Sequence, residues 1–219
     1  DTYEAGDFTG RPADFFAFAD TVILAVKPQD AEAVLREISP FGKNRKFISI
    51  IAGKTLDFYR RHLDTPFLAR FMPNLAATQG RAAVGVSFSD APGDAAAEVF
   101  RKDALEIAAA LGDAVEIPER LMPAMTGLSG SGIAFVFAFI HALALGGVKT
   151  GFGYDRALEI ALSVVEGAAA VLRAAGENPA ALVAKVASPA GPTIAGLQAL
   201  EDAAFTSAVM RAVEDASLR

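Results

Sequence analysis

An α/β unit followed by an all-α unit is the architecture this sequence predicts, on three observations. Up to about residue 118, short apolar runs alternate with helically spaced stretches, the pattern of buried strands in a mostly parallel sheet. Beyond that point the strand signals stop, and long helical stretches follow one another across Gly- or Pro-containing breaks. Of the 219 residues, 53 % are hydrophobic and 21 % charged, which supplies a sizeable core and argues against disorder.

The elements follow in order. Thr21 to Val26 reads as a buried strand ended by Lys27-Pro28, and Gln29 to Ile38 has helical spacing. Lys46 to Ile51 is a second buried strand ended by Ala52-Gly53, after which Thr55 caps a short helix. Phe67 to Phe71 and Ala82 to Phe88 are further strands; Asp94 to Ala110 is an amphipathic helix, and Ala114 to Ile117 a last strand. Helices are then predicted over Gly132 to Gly146, Asp155 to Ala175, Pro179 to Val186 and Thr193 to Leu218. The break Gly176-Glu177-Asn178-Pro179 is a helix stop followed by proline at the first position of the next helix. The change of character near Pro118 divides the chain into domains 1–118 and 119–219.

Composition narrows the function. A net charge of −6, with no long basic run, argues against nucleic-acid and anionic-membrane partners. Cysteine is absent, which excludes disulfides and thiolate metal sites, and His62 and His141 are too few for a histidine-rich metal cluster. The start, Asp1-Thr2-Tyr3-Glu4, has neither a basic n-region nor an apolar h-region, so a cytoplasmic location is expected. Gly132 to Val148 approaches the length of a membrane span. It contains His141, lacks basic flanks on one side and is followed by amphipathic helices, so burial in a core or a subunit interface is the expectation.

Several clusters have the composition of a ligand site. Ala25-Val26-Lys27-Pro28 ends a buried strand at the edge where open α/β sheets bind ligands, although a strand terminus blocked by proline reads the same way. Ile51-Ala52-Gly53 ends the next strand on that edge with residues small enough for close approach to the backbone. Asn74, after Phe71-Met72-Pro73, suits a carboxamide, a loop backbone or a local turn. Thr126-Gly127-Leu128-Ser129-Gly130-Ser131-Gly132 opens the most apolar helix; it is no hydrolase elbow, because residue 131 is serine where glycine is needed. Ser188-Pro189-Ala190-Gly191-Pro192-Thr193 precedes the last helical region, where hydroxyls and free N–H groups can hold a small carboxylate, or Thr193 can simply cap. No G-x-G-x-x-G lies near the start, and Gly151-Phe152-Gly153, with no strand before it, turns the chain between helices.

Taken in order, LAVKPQ (24–29), IAG (51–53), R-x-M-P-N (70–74), TGLSGSG (126–132), GVKTG (147–151), VASPAGPTIAG (186–196) and AVEDAS (212–217) resemble pyrroline-5-carboxylate reductase from about residue 21 to the end. The resemblance implies a Rossmann-like domain followed by a helical dimerisation domain that interlocks with a second subunit, the active site at the dimer interface, often within a ring of dimers. It implies reduction of L-1-pyrroline-5-carboxylate to L-proline by NADPH or NADH, the last step of proline synthesis. Ala25, Val26, Lys27 and Pro28 would border the cofactor, with Ala52 beside the nicotinamide-ribose end and Asn74 nearby. Ser188, Pro192 and Thr193 would hold the substrate carboxylate and ring-nitrogen region, supported by Thr126 and Ser131, with Thr193 as the catalytic residue. The alternatives are a non-catalytic dimer-forming remnant of the family, or a related dehydrogenase of a small hydroxy or amino acid that uses Lys149 or Lys185.

Three departures from the family pattern accompany the resemblance. The family's first strand and Gly-rich loop, roughly forty residues, are not found before Thr21, so weak cofactor binding is expected. Pro192 stands where Ser, Thr or Ala is usual and offers no N–H. Ile133 and Phe135 replace Pro and Tyr, a packing change that keeps the helix.

Overall fold

The computed structural model describes residues 12–89, 93 and 95–218; Asp94, where the first long helix was expected to begin, and Asp1 to Glu4 lie outside them. The chain divides into two compact units, one holding the residues up to Gly130 together with Ala216–Arg219, the other Ser131–Asp215.

The first unit is built on a five-stranded sheet whose spatial order equals its chain order: β1 (Thr21–Leu24), β2 (Lys46–Ser49), β3 (Leu68–Met72), β4 (Ala82–Phe88) and β5 (Gly112–Glu116). β1, β2 and β3 run parallel; β4 pairs antiparallel with β3, and β5 runs parallel to β4. The helices around the sheet are α1 (Pro12–Phe18), α2 (Ala31–Ile38), α3 (Leu56–Arg60) and α4 (Ala95–Leu111). The alternation of side chains along a strand divides the core. Phe47 of β2 packs on one face with Val22, Leu24, Leu35 and Tyr59, and its neighbour Ile48 on the other with Val84, Val86 and Phe100. α4 buries Ala97, Phe100, Ala104 and Ala108, a stripe at helical spacing. Phe100 meets Phe67 and Phe88 edge-on at centroid distances of 5.9 and 6.0 Å, and burial of a ring this size contributes about 1.5–3 kcal/mol.

Strand ends differ from the sequence expectation for identifiable reasons. β1 stops at Leu24, whose carbonyl takes the final rung from Ile50 N–H at 3.0 Å, so Ala25 and Val26 lie beyond the strand. β2 stops at Ser49, because the Ile51 N–H turns back to Ser49 Oγ at 3.1 Å. β5 starts at Gly112 instead of Ala114, directly from the end of α4. The short helix α1, with Phe16 buried, has no counterpart in the sequence reading. Thr55 does cap α3, its side chain accepting from Phe58 N–H at 3.1 Å.

The second unit is helical: α6 (Gly132–Lys149), α7 (Tyr154–Ala175), α8 (Pro179–Val186), α9 (Pro192–Asp202) and most of α10 (Phe205–Ser217). α5 (Met122–Met125), in the first unit, leads into a π-helical turn, Thr126–Ser131. α7 ends on left-handed Gly176, and Asn178 caps α8 by accepting from Ala180 N–H at 2.9 Å, as the break sequence predicts. The single helix expected over Thr193 to Leu218 is two, separated at Ala203-Ala204, where Ala204 adopts φ +56°. Ala144, Ala157 and Ala161 are buried where α6 crosses α7. Of the two settings expected for α6, a core or a subunit interface, the core of this chain is not the one seen: Phe137 is 53 % exposed, and Val136, Phe139, Leu143 and Leu145 are exposed with it. The helical stretch Glu119–Lys149 is long and apolar enough to cross a membrane.

Candidate active site

Parallel pairing brings the carboxyl ends of β1, β2 and β3 to one edge of the sheet, the edge where open α/β sheets take ligands. Ala25, Lys27 and Pro28 are exposed there, and Val26 is half-buried against the core. Lys27 accepts from Asp30 N–H at 2.9 Å in the turn that leads into α2. Ala52 and Gly53 form an exposed turn beyond β2, and a Cβ placed on Gly53 would meet nothing within 4 Å. Small, unobstructed backbone of this kind fits the approach of a flat ring system such as the nicotinamide end of a dinucleotide.

Asn74 completes the same edge, and its amide is engaged within the protein. Oδ1 accepts from Ala76 N–H at 3.0 Å; Nδ2 donates to Ser129 Oγ at 2.9 Å, and Ser129 Oγ donates onward to Ala83 C=O at 2.9 Å. Asn74 therefore ties the end of β3 to the π-helical turn. Such turns are rare and gather at functional sites. Thr126 opens this one with its hydroxyl bonded to Met122 C=O at 3.0 Å.

Beneath the edge runs a row of polar residues that the sequence reading did not single out. Ser49, Arg70 and Ser87 are register partners across β2, β3 and β4, and all three are buried. Ser49 Oγ lies 2.5 Å from the Tyr59 hydroxyl, Arg70 Nη1 donates to Glu119 Oε1 at 2.6 Å, and Ser87 Oγ donates to Ile117 C=O at 2.6 Å. Among the described residues, no buried side-chain nitrogen or oxygen lacks a partner. In the sequence each is one polar residue inside an apolar run, and only the register aligns them.

Burial raises the Tyr59 hydroxyl above its ordinary value; the Ser49 bond and the Arg70 charge offset part of this, and Glu119 adds to it. A phenol whose folded value is raised favours the folded state below its unfolded value and loses that contribution as pH rises past about 10. Tyr59→Phe should therefore flatten the alkaline loss of stability, measured as thermal midpoints from neutral pH to pH values above 10.

Ser131, Ser188, Pro192 and Thr193 belong to the second unit. Gly191 N–H donates to Ser188 C=O at 3.1 Å, closing a turn with Pro189 second and Ala190 third at φ +53°, the arrangement of a type II turn. A Cβ on Gly191 would lie 2.2 Å from Ser188 Oγ, a contact that rotation of the exposed Ser188 side chain would relieve. Gly191 is the N-cap of α9 and Pro192 its first residue; Thr193 is the second, and capping is not its role. Proline is at home at this position, where its missing N–H would have no intrahelical acceptor. The N–H groups of Thr193 and Ile194 remain without intrahelical acceptors, and no side chain caps them. They form a carboxylate-sized donor pair at the positive end of an eleven-residue helix. Lys185, a candidate base in the alternative reading, bonds both carboxylate oxygens of Glu177 at 2.6 and 2.7 Å.

Comparison with known proteins gives concordant matches. A family model described as pyrroline-5-carboxylate reductase dimerisation matches residues 119–219, and one described as NADP oxidoreductase, coenzyme F420-dependent, matches residues 1–53. The chain is 44 % identical to a pyrroline-5-carboxylate reductase of Methanosarcina acetivorans, over 92 % of this chain and 74 % of that protein. It is 38 % identical to one of Aquifex aeolicus, over 91 % of this chain and 73 % of that protein. A crystal structure of Plasmodium falciparum pyrroline carboxylate reductase with NADP bound superposes with a TM-score of 0.85 at 28 % identity, covering 94 % of this chain and 78 % of that one.

Proposed function

The chain belongs to the pyrroline-5-carboxylate reductase family, and we propose that it reduces L-1-pyrroline-5-carboxylate to L-proline with NADPH or NADH, the closing step of proline synthesis. The observation that carries this reading is the similarity to reductases over nine-tenths of the chain. Each unit carries residues that suit this reading. Residues up to Pro118 supply the cofactor edge, with Ala25, Val26, Lys27, Pro28 and Ala52 bordering the dinucleotide and Asn74 supporting them from the end of β3. Residues 119–219 supply the substrate side through Ser188, Pro192 and Thr193, with Thr126 and Ser131 as supports.

When bound, the nicotinamide supplies a hydride to C5 of the imine. The protein's own residues have two tasks. The N–H groups of Thr193 and Ile194 hold the substrate carboxylate at the start of α9, where the helix dipole favours negative charge. The Thr193 hydroxyl orients the ring nitrogen, which takes its proton from solvent, so that the C5=N bond becomes a C–N single bond bearing N–H. Catalysis then rests on holding C5 in line with the hydride rather than on an acid or base with a shifted pKa.

The exposed apolar side chains of α6 form the face of an interlocked homodimer, and a ring of such dimers is the finer assembly we propose. This reading takes the long apolar helix as a subunit interface instead of a membrane span, and places the enzyme in the cytoplasm. The test is incubation of the purified chain with pyrroline-5-carboxylate and either nicotinamide cofactor, following loss of the reduced-nicotinamide absorbance and appearance of proline. Equal amounts of oxidised cofactor and proline are expected. Absence of proline with both cofactors would overturn the reading.

A further inference from the structure

We infer that Glu119 is a positioning residue for the cofactor-side turn between β2 and α3, acting through the Leu56 N–H and anchored by Arg70; this rests on the functional reading above. The turn runs from Ile50 to Thr55, and its central Ala52 and Gly53 are exposed and lie where the nicotinamide end would approach. Exposed backbone holds one shape only if its ends are fixed. The near end is fixed by Ser49, whose Oγ accepts from Ile51 N–H at 3.1 Å and contacts the Tyr59 hydroxyl on α3. The far end is fixed by Glu119: its Oε1 accepts from Leu56 N–H, the first residue of α3, at 2.6 Å.

The same oxygen accepts from Arg70 Nη1 at 2.6 Å, and the Arg70 side chain is only 11 % exposed. Arg70 stands in the middle of the sheet, paired in register with Ser49 on one side and Ser87 on the other. The chain of bonds therefore runs from the rigid sheet, through one carboxylate oxygen, to the end of the turn. Glu119 comes from the corner after β5, far along the chain from both of its partners. Charge-assisted bonds at this degree of burial are about twice as strong as neutral ones, so loss of the carboxylate frees the turn without removing any group that touches the cofactor.

Fluorescence titration of the full chain with NADPH, paired with amide hydrogen exchange, tests the inference. Glu119→Ala is expected to weaken NADPH binding about tenfold, the worth of one charge-assisted bond. It should hasten exchange across Ala52–Tyr59 while leaving β4 and the KM for pyrroline-5-carboxylate unchanged. Glu119→Gln, which still accepts from Leu56 N–H, should recover most of the binding. Glu119→Asp, whose shorter side chain cannot serve both partners, should behave like the alanine variant, and it decides the matter if alanine prevents folding. Parent-like NADPH affinity in Glu119→Ala, or in Glu119→Asp where the alanine variant does not fold, overturns the inference alone, as does an equal rise in the KM for substrate. A parent chain that binds neither NADPH nor NADH overturns the functional reading and the inference together.

Discussion

Gly112→Ala is expected to destabilise the first unit by on the order of 3 kcal/mol or more, placing it among the severe single substitutions. α4 ends at Leu111 and β5 begins at Gly112 with no connecting residue, so the chain reverses within one peptide. Gly112 manages this at φ +145°, a region residues with a side chain rarely adopt. It also pairs directly with Ala82, and an added Cβ would fall 2.2 Å from Ala82 C=O oxygen and 2.4 Å from its nitrogen. The obstacle is backbone of a strand bonded on both sides, whose Val84 and Val86 are fully buried, so it cannot move aside cheaply. Calorimetry should show the transition of this unit lowered by roughly 10 °C. Gly80→Ala is the control, since Gly80 is left-handed at φ +64° but its nearest outside atom is 3.9 Å from the added Cβ. It should cost only about 1 kcal/mol. Equal midpoints for the two variants would show that strand contact contributes nothing beyond backbone conformation.

Thr193→Ala should lower turnover roughly 10- to 100-fold, the range for loss of a hydrogen bond to a charged group. The substituted atom is a hydroxyl at the second position of α9, and the backbone N–H of the same residue survives the change. Carboxylate holding should therefore persist while orientation of the ring nitrogen is lost. The consequence is a fall in kcat larger than the rise in KM for pyrroline-5-carboxylate. Thr193→Ser should restore most of the activity, and sedimentation should show the dimer in all three proteins. Kinetics identical to the parent would remove Thr193 from the mechanism.

What the sequence disclosed depended on how local the cause was. Ala82 to Phe88 and Pro179 to Val186 were legible to the residue, because an apolar run bounded by turns and a Gly–Asn–Pro break act within a few positions. The antiparallel step from β3 to β4 was not read, although the link from Pro73 to Arg81 is shorter than the crossover a parallel pair requires. The break between α9 and α10 had no Gly or Pro to announce it, since Ala204 takes the left-handed conformation without either. At the site, the start of α9 was visible from its own residues, with Gly191 instead of Thr193 at the cap. Ser49, Arg70 and Ser87 were out of reach because their alignment is a product of strand register, which was not predicted, and Glu119 because its partners lie 49 and 63 positions away.

The agreement between strand order in space and strand order in the chain carries a kinetic consequence. Each strand after the first pairs with the one preceding it in sequence, so no pairing waits for a strand further along the chain and sheet growth can follow synthesis. The parallel pairs still close through helical crossovers, so the antiparallel β3–β4 pair, with the shortest link, closes most readily. Glu119 is the exception, because its bond to Leu56 closes the longest loop in this network and can form only after the fifth strand is placed. Under that order of events, the cofactor-side turn would acquire its final shape only after all five strands are placed.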